Sequence, residues 1–99
     1  MLFVIRTRFK AGTETARDAA TNDHRAHFGR IGAQIAAAGP TLAADGDTRT
    51  GALYILDFAD LGAAKRFMAD DPNALAGVYA SVEIDAWKKA VLRALPDGK

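Results

Sequence analysis

Six segments of regular hydrophobic periodicity follow one another along this chain, and their order limits the folds that it can adopt. Four of them show the two-residue alternation, or the β-branched and aromatic runs, that are typical of strands. The other two repeat apolar residues every three to four positions, as amphipathic helices do. The strand segments cover residues 2–9, 34–38, 53–58 and 78–87, and the helical segments cover residues 13–32 and 60–70.

The assignment of the Ala-rich segment 34–38 decides the order of the elements. Alanine favours a helix, but Gly39-Pro40 follows so soon that a stable helix has no room to form. A strand held by its neighbours in a sheet is the assignment that remains. The chain then has the βαββαβ order of the ferredoxin-like fold, with helices on one face of a four-stranded antiparallel sheet. The predicted fold class is therefore α+β.

Capping and breaking residues place the ends of the predicted helices. Thr13 is the predicted N-cap of the first helix and Asp60 that of the second. The Asp71-Pro72 step ends the second helix, because the residue before a proline disfavours the helical region. Pro72 can then open a short helical turn. We predict a further short helix over residues 88–95.

Length and composition leave room for one domain, which we assign to residues 1–95, with a frayed tail at 96–99. The 22 alanines and 9 glycines bury little area each, so the core is thin and a second copy of the chain is the expected partner. A net charge of +1 gives no basic footprint for nucleic acid. Without cysteine there is no disulfide, thiolate nucleophile or cysteine-based metal site.

The beginning of the chain does not resemble a targeting segment. Its apolar run, residues 1–5, is ended at once by Arg6, Arg8 and Lys10, whereas a signal peptide carries its charge before a longer apolar stretch. No run approaches the roughly 18 apolar residues of a transmembrane helix. We therefore expect a cytoplasmic protein with no membrane partner.

Strand alternation predicts two sheet faces of different character. The first set is uniformly apolar and is expected under the helices: Phe3, Ile5, Phe9, Ile35, Leu53, Ile55, Val82 and Ile84. The second set mixes apolar and polar residues: Val4, Arg6, Arg8, Gln34, Tyr54, Leu56, Phe58, Ser81 and Glu83. Because Tyr54, Leu56 and Phe58 are unfavourable on an exposed face, we expect this face to contact a second copy and to enclose a small-molecule ligand. An ordinary solvated sheet face is the alternative.

Imidazole and carboxylate groups offer the chemistry of a candidate site. His24 follows Ala20 on the apolar stripe of the first helix, whereas His27 lies off the stripe and is expected to be solvated. The two histidines lack nearby acidic or thiol groups that would complete a zinc site, so we predict no metal. Asp70 and Asp71 lie where the helix dipole disfavours acids. Three alternatives stay open: both are solvated, Asp71 organises the turn before Pro72, or one acid orients a histidine as general base. A histidine on such a stripe is more often a packed core residue, and the sequence alone does not bring Asp71 to His24.

Short motifs in a fixed order span nearly the whole chain. They are His24-Arg25-Ala26-His27-Phe28, Ala37-Ala38-Gly39-Pro40-Thr41-Leu42, Ala69-Asp70-Asp71-Pro72, Ala76-Gly77-Val78, and Ser81-Val82-Glu83-Ile84 with Trp87-Lys88-Lys89. This set resembles the YciI-like (YCII-related domain) family. Three positions depart from that family's pattern: Thr21 and Asp85 stand where it often has arginine, and Asn73 stands where it has an aromatic residue.

The resemblance implies a ferredoxin-like subunit and dimers whose two sheets pack into an α/β barrel. It also implies a His–Asp active site, which maps onto His24 and Asp71. A relative in the family removes chloride from a chlorinated, hydroxylated aromatic, and muconolactone isomerases share the superfamily fold. Proton-transfer chemistry on small cyclic or aromatic acids is the activity that this resemblance suggests.

Three hypotheses for function follow. The favoured one is a cofactor-independent lyase or isomerase that transfers a proton or removes a halogen on a small cyclic or hydroxylated aromatic acid, with His24 as general base and Asp71 orienting it. Polar residues of the second face would bind the substrate: Arg6, Arg8, Gln34, Tyr54 and Ser81. A non-catalytic ligand-binding homodimer is the second hypothesis. A haem- or metal-handling protein with His24 or His27 as axial ligand is the third.

Overall fold

The computed structural model describes residues 1–95 as a four-stranded antiparallel sheet with helices packed on one face. The elements in chain order are β1 (Leu2–Phe9), α1 (Glu14–Gly29), a 3₁₀ turn (Gly32–Gln34), β2 (Ile35–Leu42), β3 (Arg49–Asp57), α2 (Leu61–Ala69), α3 (Pro72–Leu75) and β4 (Tyr79–Trp87). The strand order across the sheet is β2-β3-β1-β4. The predicted α+β, ferredoxin-like fold class is confirmed, and the Ala-rich segment is a strand.

No helix within the described residues is long and apolar enough to cross a membrane. The tail predicted at 96–99 lies outside the described residues.

Local side-chain bonds start two of the helices. The Asp60 carboxylate accepts the Ala63 backbone N–H at 2.8 Å and caps α2, as predicted. The Asp71 carboxylate caps α3 in the same way, through the N–H of Asn73. Thr13 occupies the N-cap position of α1, but its hydroxyl donates to the Lys10 carbonyl and makes no cap bond. The α3 cap fixes a carboxylate at the junction of two helices.

The core lies between the helices and one face of the sheet. Phe3, Ile5 and Leu56 of the two central strands are completely buried there, and they pack against Phe28 of α1 and Met68 of α2. Burial of this apolar area is the main stabilising contribution in a chain of this size. The helix-facing side of the sheet is therefore fixed by the packing of its central strands.

The predicted face assignment is wrong for β3. Directly opposed residues of an antiparallel pair share a face, and Ile5 of β1 pairs with Tyr54 while Arg6 pairs with Leu53. Tyr54 and Leu56 therefore face the helices, and Leu53 and Ile55 lie on the other side. Phe58, predicted with Tyr54 and Leu56, also packs in the core, against Phe67 of α2. The sequence 53–56 is apolar at every position, so its alternation does not reveal its phase.

We call the side of the sheet turned away from the helices the outer face. It carries Val4, Arg6, Arg8, Leu53, Ile55, Ser81 and Glu83. Leu53 is 38% exposed on it, whereas its strand neighbour Ile55 is 9% exposed. The mixed apolar and polar character expected of this face is therefore present, with Leu53 and Ile55 in place of Tyr54 and Leu56.

The helix predicted over 88–95 is wrong. These residues form neither helix nor strand, and Val91, Leu92 and Leu95 are 69%, 48% and 79% exposed. A helix of two turns is unstable in water unless one face packs against the protein. Without such packing, the helix propensity of this segment does not produce a helix.

The substitution Gly51→Ala is expected to lower the free energy of unfolding by about 3 kcal/mol. A Cβ at Gly51 of β3 would lie 1.9 Å from the backbone carbonyl oxygen of Thr7 in the neighbouring strand, so the two central strands would have to separate. Urea denaturation monitored by circular dichroism measures the effect. Gly39→Ala is the matched control, because a Cβ there meets no atom within 4 Å. Equal stability of the two variants would contradict the prediction.

Candidate active site

A cavity of about 560 Å³ opens on the helix-facing side of the sheet, between α1 and the β2–β3 end. His24 of α1, Tyr54 of β3, Asn73 of α3 and Tyr79 of β4 contribute to its wall. Cavities of several hundred cubic ångströms are typical of small-molecule sites. Four elements that are distant in sequence thus bring polar groups to one concave surface.

His24 and Asp71 form a hydrogen-bonded pair at this cavity. His24 Nδ1 lies 2.7 Å from Asp71 Oδ1. The His24 side chain is 21% exposed, and that of Asp71 is 0% exposed. The imidazole therefore reaches the cavity, while the carboxylate lies behind it.

The position of Asp71 follows from the sequence around it. Asp70 is the C-cap of α2 and Pro72 begins α3, so Asp71 between them takes the extended backbone that a following proline favours. The side chain of Asp71 then turns back toward α1 as the α3 cap. The His24 ring is placed by its own helix, where it contacts the Phe28 ring one turn later with 4.7 Å between ring centroids.

The buried Asp71 carboxylate is fully hydrogen-bonded. It accepts the Asn73 backbone N–H at 3.1 Å through Oδ1 and the Tyr79 hydroxyl at 2.5 Å through Oδ2, besides its contact with His24. Burial by itself raises the pKa of this carboxyl, but the hydrogen bonds with His24 and Tyr79 and the charge of His24 outweigh burial and hold its pKa below the usual value. Asp71 is therefore an ionised acceptor.

An ionised Asp71 fixes the tautomer of His24. A carboxylate only accepts hydrogen bonds, so Nδ1 of the imidazole carries the proton that it shares with Asp71. In the neutral ring, Nε2 is then the unprotonated nitrogen. The arrangement presents a basic nitrogen on a ring whose orientation is held by a buried charge.

Two tyrosines complete the polar group around the pair. Burial, and next the negative charge of Asp71, together raise the pKa of the Tyr54 hydroxyl to about 12. Burial, and next the hydrogen bond to Asp71, raise the pKa of Tyr79 as well. Both phenols therefore remain protonated and act as hydrogen-bond donors at neutral pH.

Asn73 lies beside Asp71 in the cavity wall and is 5% exposed. The neighbouring Tyr79 hydroxyl donates to Asp71. The side-chain carbonyl oxygen Oδ1 of Asn73 is buried and has no hydrogen-bond partner among residues 1–95. Asn73 therefore brings an unpaired polar atom to the region beside Asp71.

Three arginines line the same cavity. They are Arg17 and Arg25 of α1 and Arg49, the first residue of β3. Within the part of the chain that the structure describes, none of the three forms an ion pair with a carboxylate. Asp18 also lines the cavity, so the rim carries an excess of positive charge.

The residues predicted to form the site are divided between two places. His24, Asp71 and Tyr54 come together at the cavity. Arg6, Arg8 and Ser81 lie on the outer face, with Arg8 opposite Ser81. Gln34 belongs to the 3₁₀ turn rather than to a strand, and its side-chain amide donates to the Asp57 carbonyl at 2.7 Å.

Sequence reasoning missed several residues of the cavity wall. Arg17, Arg49, Asn73 and Tyr79 were not predicted there. Tyr79 is brought in by a shift of register between Arg8 and Phe9 that the alternation of the strands does not reveal. For Arg17 a signal existed, because it lies seven residues before His24 and two turns of helix place both on one side of α1.

His27 is buried, and the expectation that it is solvated is wrong. It is 9% exposed, its Nε2–H donates to the Phe67 carbonyl at 2.8 Å, and its ring stacks on that of Phe67 with 4.1 Å between centroids. A neighbouring helix thus covers a residue that lies outside the apolar stripe of its own helix. No cluster of three potential metal-ligating side chains is found within residues 1–95.

The fold and the cavity define a small ferredoxin-like α+β protein in which a buried carboxylate is hydrogen-bonded to a histidine at a cavity wall. The chain belongs to the YCII-related domain family, whose model matches residues 1–88. An uncharacterised protein of Haemophilus influenzae is 34% identical over 96 residues, which cover 90% of this chain and 98% of that protein. The resemblance seen in the motifs is confirmed.

The structure is also similar to that of an enzyme. The 5-chloro-2-hydroxyhydroquinone dehydrochlorinase of Burkholderia phenoliruptrix AC1100, solved in complex with 2,5-dihydroxybenzoquinone, superposes with a TM-score of 0.82. The two sequences are 29% identical, and the match covers 89% of this chain and 94% of the dehydrochlorinase.

Proposed function

We propose that the chain is a cofactor-independent enzyme of lyase or isomerase type, which transfers protons on a small hydroxylated ring compound and can thereby eliminate a halide. His24 is the general base and Asp71 orients it. The observation that carries the proposal is the 2.7 Å contact between His24 Nδ1 and the fully buried Asp71 carboxylate at the wall of a cavity. The structural similarity to a dehydrochlorinase supports the same class of reaction.

The reaction that this site supports begins with a ring hydroxyl. Nε2 of His24 removes the hydroxyl proton, and the electrons of the O–H bond form a C=O bond. The imidazolium then returns the proton to a ring carbon, which completes an isomerisation. If that carbon bears a halogen, the regenerated Nε2 accepts a second hydroxyl proton and the electrons of that O–H bond form a second C=O bond. The halide then departs with the carbon–halogen bonding pair. The net change is loss of one hydrogen halide.

Asp71 contributes to both proton transfers. It holds the ring so that Nε2 faces the cavity, and its negative charge stabilises the imidazolium that forms after the first transfer. Tyr54, which remains protonated, is a hydrogen-bond donor for an oxygen of the bound ring.

Two measurements on one sample test the proposal. In the first assay the protein is incubated with 5-chloro-2-hydroxyhydroquinone, and released chloride is quantified. In the second assay the same protein is incubated in D₂O with a halogen-free hydroxylated ring acid, and NMR follows the exchange of ring protons for deuterium. We expect at least one of the two signals to exceed that of a buffer blank. Absence of both would contradict an enzyme of this class and favour a ligand-binding protein.

We further propose that two copies of the chain associate through the outer face. Val4 and Ile55 lie there beside Leu53, which is 38% exposed, and oppositely charged Arg6 and Glu83 face each other across β1 and β4. An apolar centre with polar groups around it is typical of self-association surfaces.

Leu53→Glu is expected to convert the dimer into a monomer at micromolar concentration, because it places charges against each other at the centre of the interface. Sedimentation velocity measures the change. Leu75→Glu is the matched control, since Leu75 is 75% exposed on α3 at the opposite side of the sheet. A wild-type chain that sediments as a monomer would overturn the proposed dimer.

A further inference from the structure

The His24 cavity is surrounded by positive charge that the rest of the molecule does not neutralise. The whole chain has 13 basic and 12 acidic side chains, so its net charge is only +1. Three of those basic groups nevertheless line this one cavity, and within the described residues none of them is ion-paired. A concave surface of low dielectric concentrates the field of such groups at its mouth.

Arg17 differs from an ordinary surface arginine because its guanidinium is held in place. Its Cζ atom lies 4.2 Å from the centroid of the Phe9 ring, and the Phe9 ring stacks in turn on Tyr79 with an interplanar angle of 7°. The side chain is half-buried. A guanidinium that is stacked on an aromatic face loses little conformational freedom when it binds a ligand.

This stack connects the arginine to the chemical centre of the cavity. Phe9 and Tyr79 both line the wall, and the Tyr79 hydroxyl donates to Asp71, the partner of His24. Arg25 follows His24 directly on α1, and Arg49 is contributed by the sheet. Positive groups thus approach the same space from two elements, around a flat aromatic surface that suits a planar ring.

We propose that the cavity selects planar ring compounds that carry a carboxylate, and that Arg17 is a specificity-determining residue that binds this carboxylate. The inference rests on the proposed function, in which His24 acts on a hydroxyl of the same ring. Arg49 and Arg25 add to the attraction, and the stacked guanidinium fixes the orientation of the acid relative to His24. A carboxylate bound there places the opposite end of the ring toward the His24–Asp71 pair.

A pair of probes that differ in one charge tests this inference. Calorimetric titration compares 2,5-dihydroxybenzoate with its neutral amide, 2,5-dihydroxybenzamide. We expect the acid to bind about 10-fold more tightly, as a charge-assisted hydrogen bond predicts. We also expect its affinity, and not that of the amide, to fall as salt concentration rises.

Substitutions at Arg17 test whether this residue causes the tighter binding of the acid. Arg17→Met keeps apolar contact with Phe9. It is expected to weaken binding of the acid about 10-fold and to leave the affinity for the amide unchanged. Arg17→Lys is expected to retain part of the preference. Arg30→Met is the matched control, because Arg30 is an exposed arginine at the other end of α1 that does not line the cavity.

Three results would overturn the inference: equal binding of the two probes, no binding of the acid at millimolar concentration, or an equal loss in Arg30→Met and Arg17→Met. The outcome is independent of catalysis, because binding is measured also in His24→Gln. A preference for the acid without any turnover would leave this inference standing while the proposed function failed. Turnover of neutral ring compounds, with no preference for the acid in binding, would support the proposed function and overturn this inference.

Discussion

His24→Gln is expected to reduce kcat for ring-proton exchange or halide release by about 10²- to 10⁴-fold, the contribution of a well-placed general base. Glutamine can still donate to Asp71 and fill most of the ring's volume, but it has no nitrogen that accepts a proton at neutral pH. Because the substitution removes proton transfer rather than binding, KM is expected to change little. Steady-state kinetics of chloride release or deuterium incorporation measure both constants.

The control for this variant lies two residues away. Asn22 is exposed on the same helix and does not line the cavity, so Asn22→Ala is expected to keep the wild-type rate. Circular dichroism and the affinity for 2,5-dihydroxybenzoate establish that the His24→Gln chain is folded with its cavity intact. If the folded His24→Gln variant retained the wild-type kcat, His24 would not be the base.

The fold was predictable from sequence because its decisive signals are local. Gly39-Pro40 excludes a helix from the Ala-rich segment, and Asp60 caps α2 as its position predicts. The phase of β3 was not predictable, since residues 53–56 are apolar at every position and only pairing with β1 places Tyr54 toward the helices. Where both faces of a strand are apolar, the partner strand determines which residues are buried.

The candidate site was predictable only in its central pair. The apolar stripe of α1 and the Asp71-Pro72 sequence made His24 and Asp71 candidates, but only the family resemblance paired them. The distance between them results from the docking of α3 against α1. The arginines predicted to bind substrate, Arg6 and Arg8, lie on the outer face, whereas Arg17 lines the cavity. Alternation along β1 separates its two faces correctly, yet it does not show on which face a cavity forms.

Asp71→Asn is expected to lower the free energy of unfolding by about 3 kcal/mol at neutral pH, because it replaces a buried carboxylate whose hydrogen-bond donors are then left partly unpaired. The carboxylate receives hydrogen bonds from Asn73, Tyr79 and His24, and an amide oxygen can accept only part of these. The amide NH₂ group is then a buried donor that faces other donors. Asp70→Asn is the matched control, since the adjacent carboxylate is exposed at the end of α2.

The same comparison has a defined pH dependence. The pKa of Asp71 is lowered in the folded chain, so the unfolded chain takes up the proton first as pH falls. The stability that the carboxylate contributes is therefore fully present above the unfolded pKa of about 3.9 and is lost as pH falls through the lower, folded-state pKa. Urea denaturation at a series of pH values is expected to show the difference between wild type and Asp71→Asn narrowing below about pH 4.

In the Asp71→Asn variant, kcat is expected to fall about 10³-fold at a temperature where the chain is folded. The new amide can donate to Nδ1, which moves the imidazole proton to Nε2 and removes the base from the cavity. ¹⁵N NMR of the imidazole distinguishes the two tautomers, and a purely structural Asp71 would leave the ring nitrogens of His24 unchanged. A folded Asp71→Asn chain with wild-type kcat and a protonated Nδ1 would contradict the orienting role, even if the loss of stability were as large as expected.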